Sequence, residues 1–172
     1  PLFGPEADPA CTRRIAICPG RGDRWLSWLI GVFEAAGLAV TVLSPERHDK
    51  MMGLVQGVNH FSTLALALCI SRSGFVLEDL VACSTQTFSH RLDRISAILN
   101  QQPELFWSLM GETREALEGM KLFLNGASDL FEMVSRNEGD AFQGMFDELG
   151  TLFQVSDVRS PRSEVKGPRS NV

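Results

Sequence analysis

From Pro45 to Arg72 the apolar residues, Met51, Met52, Leu54, Val55, Val58, Phe61 and then Leu64 through Ile70, fall on almost every side of a helix. A helix that is apolar all round belongs in a core, so this segment is expected to be buried. Its start is well marked. Ser44 can cap, Pro45 suits the first helical position because its missing N–H would find no partner there anyway, and Glu46 and Asp49 lie near the positive end of the dipole. Gln56, Asn59, His60 and Thr63 interrupt the apolar surface at spacings of three, four and seven, which sets them on one stripe. Polar groups inside a core need partners or a ligand. The stripe is therefore either satisfied by neighbouring helices or is the wall of a polar pocket.

Before this segment, Arg14 to Cys18 and Leu38 to Leu43 are short β-branched or apolar runs. Between them, in Asp23 to Ala36, Trp25, Leu29, Val32 and Phe33 recur at helical spacing. That order predicts a β-α-β unit closed by Gly37. One such unit cannot cover both faces of its strands, so it reads as the edge of a larger sheet. From Pro45 onward only helical patterns follow: Pro45 to Arg72, Val76 to about Phe88, His90 to Asn100, Pro103 to about Arg136, and Asp140 to Phe153. Gly74 and Pro103 punctuate turns, and Arg136-Asn137-Glu138-Gly139 reads as a loop. The Pro103 segment contains Gly111, Gly119 and Gly126, which is compatible with two helices or with one kinked helix. Beyond Gln154 the composition turns to Ser, Pro, Arg and Lys with little to bury, which predicts a disordered tail. The expected fold is mainly α. Its expected divisions are an α/β edge at 1–44, a helical domain at 45–154 and a tail at 155–172. An all-round apolar helix also demands more covering surface than the other helices supply, which predicts a two-fold homodimer.

With 172 residues, 44% of them hydrophobic and 22% charged, the chain can hold one domain with a real core, or one domain plus a remnant of another. The longest uninterrupted apolar run, Leu64 to Ile70, is far short of a membrane span, and the start does not read as a signal peptide. No membrane partner and a cytoplasmic location are therefore expected. A net charge of −5 without a segregated basic face argues against nucleic acid. Cys11, Cys18, Cys69 and Cys83 lack metal-ligand spacing, and two of them sit in apolar runs, so buried reduced thiols are expected and no metal. In Gly20-Arg21-Gly22-Asp23-Arg24-Trp25, Trp25 stands where the third glycine of a dinucleotide turn belongs. A tight strand-to-helix turn capped by Asp23 is the favoured reading.

His48-Asp49 followed by Gln56-Gly57-Val58-Asn59-His60-Phe61 resembles the central helix of the prephenate and arogenate dehydrogenases of tyrosine biosynthesis, which carry an H-D pair and then a Q-x-x-x-H-F run. The opening Pro1-Leu2-Phe3-Gly4-Pro5 is similar to the segment after that family's catalytic histidine, usually H-P-M-F-G-P. Gln102-Pro103-Glu104-Leu105-Phe106 is similar to its D-P-x-L-Y, and the likeness continues to about Phe153. The resemblance implies that residues 1–44 are the C-terminal edge of a Rossmann-like dinucleotide-binding sheet, and that a catalytic histidine is expected immediately before Pro1. It implies NAD or NADP as cofactor, bound mainly by an N-terminal part outside this chain. Prephenate or arogenate is the implied substrate, and a homodimer through the helical domain the implied assembly. The implied reaction is the oxidative decarboxylation of prephenate to 4-hydroxyphenylpyruvate. The chain by itself, lacking that histidine and the cofactor fold, is expected to be inactive.

Within the resemblance, His60 matches the H-F pair associated with substrate binding, and Gln56 and Asn59 share its stripe. Read without the family, a single histidine on an apolar helix is more often a satisfied core residue. His48 lies about 18 Å earlier along the helix, so it is assigned, with Asp49 as partner, to the helix start, the domain junction or the dimer contact. A dianionic substrate requires cations. Family members usually carry an arginine in S-P-x-[YF]-R, but here Ser89 stands at that position in the run Ser84 to Arg94. Arg91 and Arg94, one turn apart, either replace the missing charge or form a solvated face paired with Asp93 or Glu78. This departure bears on substrate identity and on activity. The alternatives from other classes are a non-catalytic module that has lost its nucleotide domain and binds an aromatic precursor or mediates dimerisation, and a purely structural helical dimer.

Overall fold

A computed structural model describes residues 14–154 apart from Asp23. The motif at Pro1 to Pro5, Cys11, the Asp23 cap and the tail at 155–172 lie outside the described residues. Strand β1 (Arg14–Ile17), helix α1 (Leu26–Ala35) and strand β2 (Ala39–Val42) form the β-α-β unit, with the strands parallel and Arg14 opposite Ala39. Gly37 closes α1 at φ +80°; its N–H donates to the Glu34 carbonyl and Leu38 N–H to that of Phe33. Trp25 takes the cap position of α1 without a side-chain cap.

Helix α2 runs from Pro45 to Arg72. The Ser44 hydroxyl accepts the Arg47 N–H at 3.2 Å, and Pro45 occupies the first turn. The Glu46 carboxyl is held below its usual range by a backbone N–H first and by Ser44 second. From Gly53 to Val58 the helix is wound as a π-helix before returning to α geometry at Asn59. The π turn lies where another helix crosses very closely. A Cβ on Gly53 would stand 2.5 Å from the Glu115 carbonyl oxygen, one on Gly57 3.0 Å from Ala116 Cβ, and one on Gly119 3.0 Å from the Gly53 oxygen. Glycine is required at this crossing because backbone meets backbone.

Helices α3 (Leu77–Ala82), α4 (Gln86–Leu99), α5 (Pro103–Gly111), α6 (Arg114–Ser135) and α7 (Gly139–Gln154) complete the chain. One expected boundary moves, and the choice left open for the Pro103 segment falls to two helices. The helix expected from Val76 to Phe88 ends at Ala82, and a new one starts at Gln86 because the Thr85 hydroxyl accepts the Phe88 N–H at 3.3 Å. The Pro103 segment is two helices, divided where the Thr113 hydroxyl accepts the Ala116 N–H at 3.2 Å. Both breaks are N-caps made by threonine, whose side chain offers the backbone an alternative to continuing the helix.

Contacts divide the chain into two compact units, Pro1–Leu124 and Asn125–Val172, so the division falls inside α6. In the first, the buried apolar side chains are Ile95, Ile98, Phe106 and Ala116. In the second, Phe142 and Phe146 stack within α7, and Asn137 at φ +55° forms the turn before it.

The expectation that α2 is buried does not hold for a single chain. Gly53 and Gly57 are buried against α6, whereas Leu54 and Val55 are each 54% exposed and Leu68 is 53% exposed. Cys18, Cys69 and Cys83 are likewise exposed free thiols and not buried ones. Within α2 an 18-residue stretch has a mean hydropathy of 1.4, which by length and composition alone would suffice to cross a bilayer, a test that the core helix of a soluble protein also meets. That composition also fits a helix whose outer face is covered by a protein partner.

Candidate functional site

The C-terminal half of α2 packs against α4, and between them opens a cleft of about 470 Å³. Asn59, Ser62, Thr63 and Leu66 form one wall, and Thr87, His90, Arg91 and Arg94 the other. Each set repeats as i, i+3, i+4, i+7, the spacing that lines up one face of an α-helix. The cleft face of α2 keeps Asn59 and Thr63 of the stripe read from the sequence but neither Gln56 nor His60, which do not line it. Gln56 lies inside the π interval, which takes up an extra residue and shifts the helical phase, so positions before and after it do not share the face that 3.6-residue counting assigns.

On the α2 wall the Ser62 and Thr63 hydroxyls donate to the Asn59 carbonyl at 3.1 and 2.8 Å. Their hydrogens are engaged, and their oxygens remain acceptors. On the α4 wall, among the described residues, neither Arg91 nor Arg94 has a carboxylate within 4.0 Å, so the expected alternative pairing with Asp93 or Glu78 does not form. Two guanidiniums free to donate, facing an asparagine amide, can take up an anion, and a planar carboxylate suits the guanidinium fork best. Ser89, at the position expected to have lost the charge, lies outside this lining. Its hydroxyl meets that of Ser84 at 2.6 Å and ties the start of α4 to the preceding turn.

His60 stands beside the cleft. Its ring meets Phe106 of α5 edge to face, with centroids 5.1 Å apart, and its Nδ1 is buried with no hydrogen-bond partner among the described residues. Burial, and secondarily the charge of Arg94, hold its pKa below the ordinary 6.5. The ring is thus kept neutral near pH 7, because protonation would put a charge in a desolvated position and near a guanidinium. His48 lies away from the cleft, with Nδ1 3.0 Å from Asp49 Oδ1 near the start of α2. Of the residues singled out from the sequence, Asn59, Thr63, Arg91 and Arg94 come together and His60 adjoins them. Gln56, His48 and Asp49 do not join them.

Ser62, Leu66, Thr87 and His90 were missed as lining residues. The signal was the same helical repeat, anchored on Asn59 for α2 and on Arg91 for α4. Among the described residues the loop between β1 and α1 does not fit a nicotinamide dinucleotide: Trp25 occupies the helix entry, Arg24 packs over its ring at 5.1 Å, and the two strands described form no crevice between diverging crossovers. No chemical step is assigned to that loop.

The fold is a mainly helical module with a cleft between two of its helices that carries two arginines. Residues 44–148 match the family described as prephenate dehydrogenase, dimerization domain, and the chain belongs to that family. It is 22% identical over 153 residues to the T-protein of Enterobacter agglomerans, covering 89% of this chain and 41% of that protein. It is also 22% identical over 156 residues to the probable arogenate/prephenate dehydrogenase of Methanocaldococcus jannaschii, covering 89% of this chain and 35% of that protein. In fold it is similar to a prephenate dehydrogenase from A. aeolicus solved in complex with hydroxyphenyl propionate and NAD+. That match has a TM-score of 0.59 and 18% identity over 83% of this chain and 50% of the other. The chain thus spans about two fifths of the length of the sequence relatives.

Proposed function

We propose that this chain is the substrate-binding and dimerising portion of an NAD(P)-dependent dehydrogenase acting on prephenate or arogenate in tyrosine biosynthesis. The observation that carries the reading is the cleft itself: Arg91 and Arg94 on α4, without carboxylate partners among the described residues, face Asn59 on α2 in a space large enough for a small dianion. In this reading the guanidiniums anchor carboxylate and Asn59 orients the ligand. His60, neutral and packed on Phe106, supports the edge of the site and transfers no proton itself. Residues 1–44 are the edge of the cofactor-binding domain, NAD or NADP is held mainly by protein outside this chain, and the chain by itself is inactive. The whole enzyme works in the cytoplasm.

The exposed apolar face of α2, with Met51, Leu54 and Val55, supports a homodimer, since exposed patches of this kind mark association surfaces. Calorimetry of prephenate and arogenate against the 172-residue chain tests the site. One of them binds, and Asn59→Ala and Arg94→Ala each weaken it about tenfold or more, the size of a lost charge-assisted hydrogen bond. Unchanged affinity in both variants would sink the assignment. Sedimentation tests the dimer: Leu54→Glu converts it to monomer, and an unaltered dimer removes α2 from the interface.

A further inference from the structure

We infer that Gly53, Gly57 and Phe61 are positioning residues for the cleft: by seating α6 along one side of α2 they hold the π turn, and that turn sets Asn59 and Thr63 on the face opposite Arg91 and Arg94. This deepens the functional reading above and rests on it for what the cleft binds. Helix α6 meets α2 at three levels. A Cβ on Gly53 would stand 2.5 Å from the Glu115 carbonyl oxygen and one on Gly57 3.0 Å from Ala116 Cβ. Four residues further on, Phe61 packs edge to face on Phe123, with ring centroids 6.0 Å apart. A contact at every fourth residue does not suit a uniform α-helix. At about 100° per residue, Phe61 would be turned about 80° from Gly53, off the face that α6 covers. The winding from Gly53 to Val58 takes up one residue, which returns Phe61 to within about 20° of Gly53.

The residue taken up there also decides what faces α4. Wound as plain α-helix, the chain after the interval would be turned by about 100°, and Val58, Phe61, Ser62 and Ala65 would stand where Asn59, Ser62, Thr63 and Leu66 line the cleft. The wall would lose the Asn59 amide opposite the guanidiniums and keep one hydroxyl of two. His60 would leave Phe106 for the place that Phe61 holds beside Phe123. The crossing opposes that rotation, because the Glu115 carbonyl and the Ala116 backbone cannot swing aside as a side chain would. The winding follows from the crossing, and the polar wall of the cleft from the winding.

Two variants of the full 172-residue chain with opposite changes of length test the inference: deletion of Gln56, and insertion of one alanine between Gln56 and Gly57. Deletion removes the surplus residue, so the interval winds as plain α-helix with both flanks unmoved. Insertion adds a second surplus residue and turns the segment after it by about 100°. Calorimetry with prephenate should find affinity within about threefold of the parent after the deletion, and about tenfold or more weaker after the insertion, the size of a lost charge-assisted hydrogen bond. In an NMR pH series the His60 midpoint should stay below 6.5 after the deletion and rise toward 6.5 after the insertion, which carries the ring away from Phe106 and Arg94. A role in stability alone would make both variants melt lower without splitting these two readouts. Tenfold weaker binding or a His60 midpoint of 6.5 in the deletion variant, or no change of either in the insertion variant, overturns the inference. So does a deletion variant that loses helicity by circular dichroism, since the shortened segment must form ordinary α-helix. Should the insertion variant not fold, Phe61→Ala takes its place: the His60 midpoint should rise and Phe61→Leu should return it, and a midpoint indifferent to Phe61→Ala counts against the inference. If prephenate does not bind the unaltered chain, or binds it and Arg94→Ala alike, the substrate reading falls and the His60 midpoints decide the winding by themselves.

Discussion

Replacing Gly53 with alanine adds one methyl group at the tightest point of the molecule. That carbon would stand 2.5 Å from the Glu115 carbonyl oxygen and 2.8 Å from its carbonyl carbon, where ordinary contact begins near 3.4 Å. The obstacle is backbone within a helix and cannot swing aside as a side chain would, so α2 and α6 must part by roughly an ångström or the chain must bend. Overpacking of this kind costs about 1–3 kcal/mol, and the rigid neighbour puts this case at the upper end. Against it stands a gain of at most about 1 kcal/mol, because alanine has the higher helix propensity. A net loss of about 2 kcal/mol is expected, read as a lower midpoint in urea denaturation with an unchanged slope. Gly119→Ala, whose Cβ would meet the Gly53 oxygen at 3.0 Å, should cost about half as much. The double variant should lose less than the sum, since helices already forced apart leave room for the second methyl. Gly126→Ala, with nothing within 4 Å of its added carbon, serves as the control and should gain up to about 1 kcal/mol. A Gly53→Ala protein as stable as the parent would refute the close crossing and, with it, the account of why the π turn sits there.

Three further outcomes follow from particular contacts. His60 should titrate below 6.5 in an NMR pH series. Because its folded pKa is depressed, the unfolded chain takes up the proton first, so stability is unaffected above 6.5 and declines as pH falls below it toward the folded value. Arg94→Gln should raise that midpoint part of the way, leaving the share due to burial; a midpoint that does not move would remove Arg94 from the neighbourhood of the ring. Thr113→Ala, which removes the acceptor for the Ala116 N–H, should cost about 1 kcal/mol in thermal denaturation, and Thr113→Ser should restore most of it.

The helical domain and the β-α-β unit were legible because their signals are local. Ser44 and Pro45 mark the start of α2, Gly37 and Gly74 end helices at positive φ, and apolar spacing distinguishes helix from strand. The same local reasoning set Asn59, His60 and Thr63 on one helix as polar interruptions, whereas Arg91 and Arg94 were singled out through the family resemblance. It failed where geometry departs from uniform helix. Nothing in Gly53 to Val58 announces a π turn as such, because that winding depends on the approach of Ala116 and Gly119 from a segment distant in sequence.

The pattern along the chain thus determined which segments are helical, where several of them begin and which residue types could meet an anionic ligand. Each of those properties depends on neighbours within a turn or two. Only the packed structure decided which face of α2 meets the cleft, that Gln56 is excluded from it, that Ser89 turns to Ser84 while Arg91 and Arg94 stand without carboxylate partners among the described residues, and that much of α2 remains uncovered in one chain. Those outcomes depend on the rotational phase and separation of helices far apart in sequence, set by close contact between glycine backbones.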